Sequence, residues 1–208
     1  MRRPFFFAGS ALAAVVLFVV ALGTLVPQTV DVSASTIIDA PRAEIWRVAS
    51  DFEGAFEDSN PAHRGTSVLS DPKAPLRDGL RFRQKEYVGG LHGVLEAELF
   101  DVYSQERFGW RAETDYTLWG LPVVTVEEGG LFRIEESRQG DGLRISHRVW
   151  GDFPDTLYGR VLSWVSVALL DIETDAERHT RASYGAVDAW VAAHAERLRE
   201  ALGYPPRG

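Results

Sequence analysis

The stretch Ser35–Phe52 reads STIIDAPRAEIWRVASDF and decides the first elements of the fold. Its first four residues end the stretch Val30–Ile38, in which every second residue is the more apolar one, as in a β-strand. Asp39 is expected to cap the next helix, and Pro41 suits a first turn, where its missing N–H is no loss. The apolar side of this predicted helix comprises Ile45, Trp46, Val48 and Ala49. The stretch therefore predicts a strand followed directly by an amphipathic helix.

The chain after this helix changes to strand patterns. Phe52 and Phe56 are expected in a second short helix or turn, before Asn60-Pro61. Strands are predicted at residues 63–70, 80–88, 91–102, 107–118, 131–138 and 143–150. A loop at WGLPV, residues 119–123, is expected to interrupt them, and Gly129-Gly130 has the composition of a turn. This order indicates an antiparallel sheet.

Two helical patterns follow the strands, at Leu157–Ile172 and Ser183–Leu202. The absence of strand–helix alternation predicts an α+β fold. We expect a curved antiparallel β-sheet wrapped around a long C-terminal helix that lies across its concave face. Leu157–Ile172 is apolar almost all round, which fits either a buried helix or a lid whose apolar side touches the membrane or a ligand.

The N-terminal residues are of a different kind. Phe5–Val26 contains 22 residues without a charge, after Arg2 and Arg3, and this length suits a transmembrane helix. A cleaved signal peptide and a buried core helix are the alternatives. Arg2 and Arg3 keep the N-terminus in the cytoplasm, so the remaining chain is expected outside the cytoplasmic membrane, or secreted or periplasmic after cleavage. The expected organisation is an anchor or signal at 1–27, a tether at 28–33 and one ligand-binding domain at 34–208.

Charge and composition exclude several functions. The chain has a net charge of −8, and residues 31–208 alone carry 20 basic and 30 acidic residues, a net −10. Nucleic-acid binding needs a basic surface, so no nucleic-acid partner is expected. The chain has no cysteine, and its five histidines do not stand at metal-ligand spacings. Neither a metal nor a cofactor is expected.

Three stretches resemble the START-like superfamily, also called SRPBCC, which includes START domains, polyketide cyclases/dehydratases and plant pollen allergens. They are IIDAPRAEIWRVASDF, Asn60-Pro61 and FRIEESRQGDGLRISHRVW. The resemblance spans Val30–Leu202 and implies a helix-grip fold, with a deep apolar cavity between sheet and terminal helix. It transfers no catalytic residue. The N-terminal span and the long apolar segment 157–172 depart from the commoner members.

One hairpin yields a candidate catalytic pair. If Gly140-Asp141 forms a two-residue turn, Ile134 lies opposite His147 and Glu136 opposite Ile145. Glu136 and His147 are then diagonal neighbours on the more apolar face. A carboxylate beside an imidazole can serve as acid and base. The alternative is that Glu136 lies in solvent and His147 is a hydrogen-bonded core residue.

The aromatic side chains predict a ligand site or a packed core. The residues expected to contact a ligand are Trp110, Tyr116, Trp119, Phe132, Ile134, His147, Val149, Trp190 and His194, and Trp150 and Phe153 are further aromatic candidates. The leading hypothesis is binding, and possible transport, of a hydrophobic small molecule or lipid without chemical change. The alternatives are a cyclase/dehydratase-like enzyme in the same cavity and an interaction module that uses segment 157–172.

Overall fold

A computed structural model describes residues 16–18, 20, 21, 28–58, 63–71, 74–88, 90–138, 142–172 and 199–203. The strands are β1 (Thr29–Ile38), β2 (His63–Val68), β3 (Arg81–Val88), β4 (Leu91–Tyr103), β5 (Arg107–Leu118), β6 (Leu121–Glu136) and β7 (Leu143–Asp152). The main helices are α1 (Arg42–Ala49), α2 (Ala55–Asp58) and α3 (Leu157–Ile172). The described part is therefore α+β, as predicted.

The strands form one antiparallel sheet in the order β1-β7-β6-β5-β4-β3-β2. Strands β2 to β7 follow one another as a meander, and β1 pairs with β7 at the far edge. Residues 29–33, most of the predicted tether, belong to β1. The turns β3–β4 and β5–β6 lie at one end of the sheet, and the turn β4–β5 lies at the other. Strand β1 begins on the side of the first end, level with Glu127 near the middle of β6.

The core lies on one face of the sheet, called here the inner face, beneath α1. Ile45, Val48 and Ala49 of α1 are buried as predicted. The Phe52 ring stacks on Phe82 at 4.9 Å between centroids and meets other aromatic rings edge-on. Such pairs add about 0.5–1.5 kcal/mol each beyond apolar burial. These contacts fill the end of the inner face near the β4–β5 turn.

The start of α1 differs from the prediction in one respect. Pro41 occupies the N-cap position, and no side chain caps the helix, so the prediction for Asp39 is wrong. The Pro41 carbonyl accepts hydrogen bonds from the Glu44 and Ile45 amides. Arg42 fixes the helix to the sheet by donating to the Ile134 carbonyl at 2.8 Å.

The strand β6 corrects the largest error in the sequence prediction. WGLPV is not a loop, because Trp119 and Gly120 alone form the turn and β6 begins at Leu121. Its pairing with β5 shifts register once, between Tyr116 and Thr117. Gly129 and Gly130 are not a turn either. A Cβ on Gly129 would lie 2.2 Å from the Trp150 ring, and one on Gly130 would lie 2.2 Å from Trp110 Nε1. The two glycines lie mid-strand because indole rings cover both faces there.

Two predicted segments fall largely outside the described residues. Of Phe5–Val26, only residues 16–18, 20 and 21 are described, and all five are helical. Within the described residues, no helix has both the length and the apolar character needed to cross a membrane. Of Ser183–Leu202, only the final turn is described; there Arg199 donates to the Ile37 carbonyl at 2.7 Å, and Leu202 packs against the core.

Candidate functional site

Three polar side chains meet on the inner face, toward the end that carries the β3–β4 and β5–β6 turns. Glu86 of β3 and Tyr116 of β5 lie across Gly93 of β4, which pairs with both. Glu128 of β6 shares the inward parity of Val126 and completes the group. Glu86 is only 6% exposed, whereas Tyr116 and Glu128 are partly exposed. We call Glu86, Tyr116 and Glu128 the Glu–Tyr–Glu cluster.

Hydrogen bonds hold the cluster together. The Tyr116 hydroxyl lies 2.5 Å from Glu86 Oε1 and 2.7 Å from Glu128 Oε1. The Thr114 hydroxyl donates to the second Glu128 oxygen at 2.8 Å. The Gln84 amide lies 3.4 Å from the second Glu86 oxygen, a weaker contact. All four carboxyl oxygens therefore have a polar neighbour.

These distances set a minimum number of protons in the cluster. A tyrosine hydroxyl has one hydrogen to donate, and an ionised carboxylate has none. Tyr116 can donate to only one glutamate, so the other contact needs a hydrogen from a carboxyl group. At least one of the two glutamates is therefore a neutral carboxylic acid when both hydrogen bonds are formed.

The surroundings favour that extra proton. Burial raises the pKa of Glu128 to about 8, and the negative charge of Glu86 adds to the effect. Burial also raises the pKa of Glu86, while its hydrogen bonds from Tyr116 and Gln84 act in the opposite direction. Burial and the two carboxylates hold the Tyr116 pKa well above its ordinary value. Tyr116 therefore stays protonated at neutral pH.

Gly93 makes room for the cluster. A Cβ at this position would lie 2.8 Å from Glu86 Cγ and 2.9 Å from Tyr116 Cε1. Any larger residue would have to displace one of these two side chains.

A buried histidine lies beside the cluster. His63 of β2 pairs with Glu86, and its Nδ1 lies 3.7 Å from a Glu57 oxygen.

The arrangement can bind and exchange protons with a small molecule. A neutral carboxyl donates a hydrogen bond, and an ionised carboxylate accepts one, so the cluster presents both groups side by side. The same pair can act as general acid and general base. In the described part of the chain, no three histidine or acidic side chains come together in a way that could hold a metal ion.

The predicted Glu136–His147 pair does not form. Phe132 lies opposite His147 and Glu136 opposite Leu143, so the predicted register is wrong by two residues. The turn is longer than the Gly140-Asp141 turn that was expected, and the Ser137 amide donates to the Gly142 carbonyl. The Glu136 side chain is 79% exposed and ion-paired with Arg42 at 2.7 Å. His147 is buried beside Phe132.

The residues predicted to contact a ligand are divided among several places. Those on the inner face are Trp110, Tyr116, Phe132, Ile134, His147 and Val149, of which Phe132 and Ile134 are buried in the core. Trp119 is 88% exposed in the β5–β6 turn and does not lie on the inner face with the others. Trp150 covers Gly129 on the opposite face. Trp190 and His194 lie outside the described residues.

The sequence carried a signal for both missed glutamates. Glu86 has the parity of the buried Phe82, and Glu128 has the parity of the buried Val126 and Phe132. An acidic residue at an inward position of a strand is costly to bury without a partner, and so marks a polar site. Glu128 was not predicted as a site residue because its strand was expected to begin only at residue 131.

The cluster predicts a dependence of stability on pH. Between pH 4.5, the ordinary glutamate pKa, and about pH 8, folded Glu128 holds a proton that the unfolded chain has released. The free energy of unfolding therefore falls as pH rises through this window, by at most about 1.4 kcal/mol per pH unit for one proton. Urea unfolding at a series of pH values measures this slope.

The Glu128→Gln variant should flatten the slope, and Glu136→Gln, on the same strand but in solvent, should leave it unchanged. Carboxylates with lowered pKa values, such as Asp31 beside Arg148, are stabilising above their ordinary pKa and lose that effect only at lower pH. A slope that Glu128→Gln leaves intact would contradict the assignment.

The fold has parallels among solved structures. A protein from Thermus thermophilus has a TM-score of 0.54 and 16% identity, with 83% of this chain and 99% of that chain covered. The Zhui aromatase/cyclase from a Streptomyces species has a TM-score of 0.54 and 14% identity, covering 84% and 94%. A conserved protein from Geobacillus kaustophilus has the same TM-score at 7% identity, covering 84% and 95%.

The sequence itself matches no protein-family model, and no curated protein is significantly similar to it. At these identities, the structural likeness concerns the fold and not the activity. The described elements and their order agree with the helix-grip arrangement that the sequence resemblance implied. The chain therefore shares the fold of these solved structures.

Proposed function

We propose that the protein binds a neutral apolar small molecule or lipid on the inner face of the sheet, with the Glu–Tyr–Glu cluster holding the polar group of the ligand. One observation carries the proposal: two carboxyl groups that share one tyrosine hydroxyl lie on the inner face, beyond the part that α1 fills. Binding is driven by burial of apolar ligand surface, at about 25 cal/mol per Å² less the cost of immobilisation. The START-like fold supports this reading.

The cluster narrows the chemistry of the ligand. A hydroxyl or a carbonyl can pair with it, because the cluster contains both a donor and an acceptor. An anionic ligand is disfavoured, because the cluster keeps one negative charge in a poorly hydrated place. The preferred ligand is therefore an alcohol, phenol or ketone rather than a carboxylic acid or a phosphate ester.

The neutral and the ionised carboxyl group of the cluster also support a second candidate function. In it, the protein is an acid–base enzyme of the cyclase type that acts on an apolar ketone at the same place. The ionised glutamate would remove a proton from the carbon beside the carbonyl, and the neutral carboxyl would donate one to the carbonyl oxygen. The result is an enol, with no other reactant consumed. This function differs from binding alone in that the ligand exchanges hydrogen with water.

The proposed location is the outer face of a membrane. The uncharged segment 5–26 and the two arginines before it support an N-terminal anchor. An apolar ligand would then enter from the bilayer without crossing water. The proposed partners are the ligand and the lipid around the anchor.

Matched ligands test the binding proposal. At pH 7, 2-naphthol should bind the full chain in phosphatidylcholine vesicles at least about tenfold more tightly than 2-naphthoate, because the cluster repels the carboxylate. Fluorescence after equilibrium dialysis, with protein-free vesicles as the reference, measures both affinities. Glu86→Gln with Glu128→Gln should abolish the discrimination, whereas Glu136→Gln should preserve it. Equal binding of the two ligands, or binding of neither, contradicts the proposal.

Deuterium exchange tests the second candidate. The protein should accelerate incorporation of deuterium from D₂O into 2-tetralone at the carbon beside the carbonyl, as followed by mass spectrometry. General acid–base catalysis typically contributes about 10²–10⁴-fold, so Glu128→Gln should lower the rate by about that factor. If wild type and Glu128→Gln exchange at the same rate, the cluster binds ligands without catalysis.

A further inference from the structure

The β5–β6 turn carries an exposed apolar surface, which we call the hairpin tip and define as residues 118–123. Trp119 is 88% exposed and Leu121 is 67% exposed. The start of α3 lies beside the tip, because the Tyr158 hydroxyl donates to the Val123 carbonyl at 2.9 Å. Leu157 and Tyr158 are also exposed and widen the same apolar surface.

Trp119 has an unfavourable backbone conformation in the hairpin tip. Trp119 has φ 52° and Gly120 has φ 79°, the positive values that a two-residue type I′ turn requires. Asn and Gly suit such positions, whereas a bulky residue there is unfavourable. Trp119 gains no burial within the described chain to offset this. A strained residue with an exposed side chain points to a role outside folding.

The chain enters the sheet from the side of this same end, level with Glu127 near the middle of β6. Thr29 pairs with Asp152, and the Gln28 side chain donates to the Phe153 carbonyl at 2.7 Å. The uncharged segment 5–26 ends two residues before Gln28 in the sequence. A bilayer that holds this segment is therefore expected on the side of the sheet that bears the hairpin tip.

We propose that the hairpin tip inserts into the interfacial region of the bilayer that holds the N-terminal segment, with Trp119 and Leu121 at the boundary between head groups and acyl chains. Tryptophan and tyrosine favour this depth, because their rings are apolar and their N–H and O–H groups remain hydrated. The segment Tyr116–Val126 carries no charge, so insertion does not need anionic lipid. A two-residue turn is also too narrow to supply the area of a stable dimer interface.

This inference goes beyond ligand binding but rests on the proposed membrane anchor. It gives the inner face a defined relation to the bilayer, because the Glu–Tyr–Glu cluster lies toward the same end of the sheet. A ligand leaving the lipid at the tip would meet the inner face before it met bulk water.

The absence of native cysteine allows a direct test. A nitroxide label at Leu121→Cys in the full chain, reconstituted in phosphatidylcholine vesicles, should be more accessible to oxygen than to a water-soluble nickel complex. A label at Tyr103→Cys is the matched control, because Tyr103 is also an exposed residue but lies at the opposite end of the sheet. It should show the reverse preference. Accessibility is measured by power saturation of the electron paramagnetic resonance signal.

Adding Trp119→Asn to the Leu121→Cys chain should lower the oxygen accessibility at 121 and leave the melting temperature unchanged or higher, because Asn suits the positive φ. A chain that floats with vesicles but has a water-exposed label at 121 overturns the tip proposal and leaves the ligand proposal standing. A chain that does not float overturns both the anchor and the tip. Dipolar broadening between labels at 121 would assign the tip to a second copy and overturn the proposal.

Discussion

Two carboxyl groups on either side of one tyrosine hydroxyl are the constraint on which the functional account depends. The hydroxyl can satisfy only one of them as a donor, so the second contact requires a proton on Glu86 or Glu128. Without that proton, two negative charges would share one poorly hydrated place, which is strongly unfavourable. The cluster is therefore a place where the protein keeps a proton at neutral pH. A structural role in stability alone would be served as well by apolar residues of similar size.

The inner face of the sheet has two parts, a packed core at one end and the Glu–Tyr–Glu cluster toward the other. At one end, α1 and the phenylalanines around Phe52 form a core that holds the strands in register. Toward the other end, the same inward parity presents Glu86, Tyr116 and Glu128, with Gly93 leaving space between strands. The rigid core end fixes the spacing of the strands, and the spacing of the strands fixes the distances between the three polar groups. Rigid support of this kind is what a binding or catalytic site needs.

The sequence was sufficient for the class of fold but not for the site. Strand β1, helix α1 and the antiparallel order follow from alternation, Pro41 and apolar periodicity, which are local signals. The register of β6 with β7 depends on the length of their turn, and a difference of two residues separates Glu136 from His147. The extent of β6 depends on indole rings contributed by other strands, which make Gly129 and Gly130 acceptable within a strand. Such long-range contacts cannot be read from the local sequence pattern. The predicted strand therefore began after Glu128.

The shared proton is tested most directly by infrared difference spectroscopy at neutral pH. The carbonyl stretch of a neutral carboxylic acid is well separated from the bands of an ionised carboxylate. The wild-type protein should show one neutral carboxyl at pH 7, which weakens as Glu128 titrates near pH 8 and is altered by either Glu86→Gln or Glu128→Gln. Glu136→Gln should leave the band unchanged. A wild-type spectrum without a neutral carboxyl at pH 7 would show that Glu86 and Glu128 hold no proton, and would contradict the proposed site.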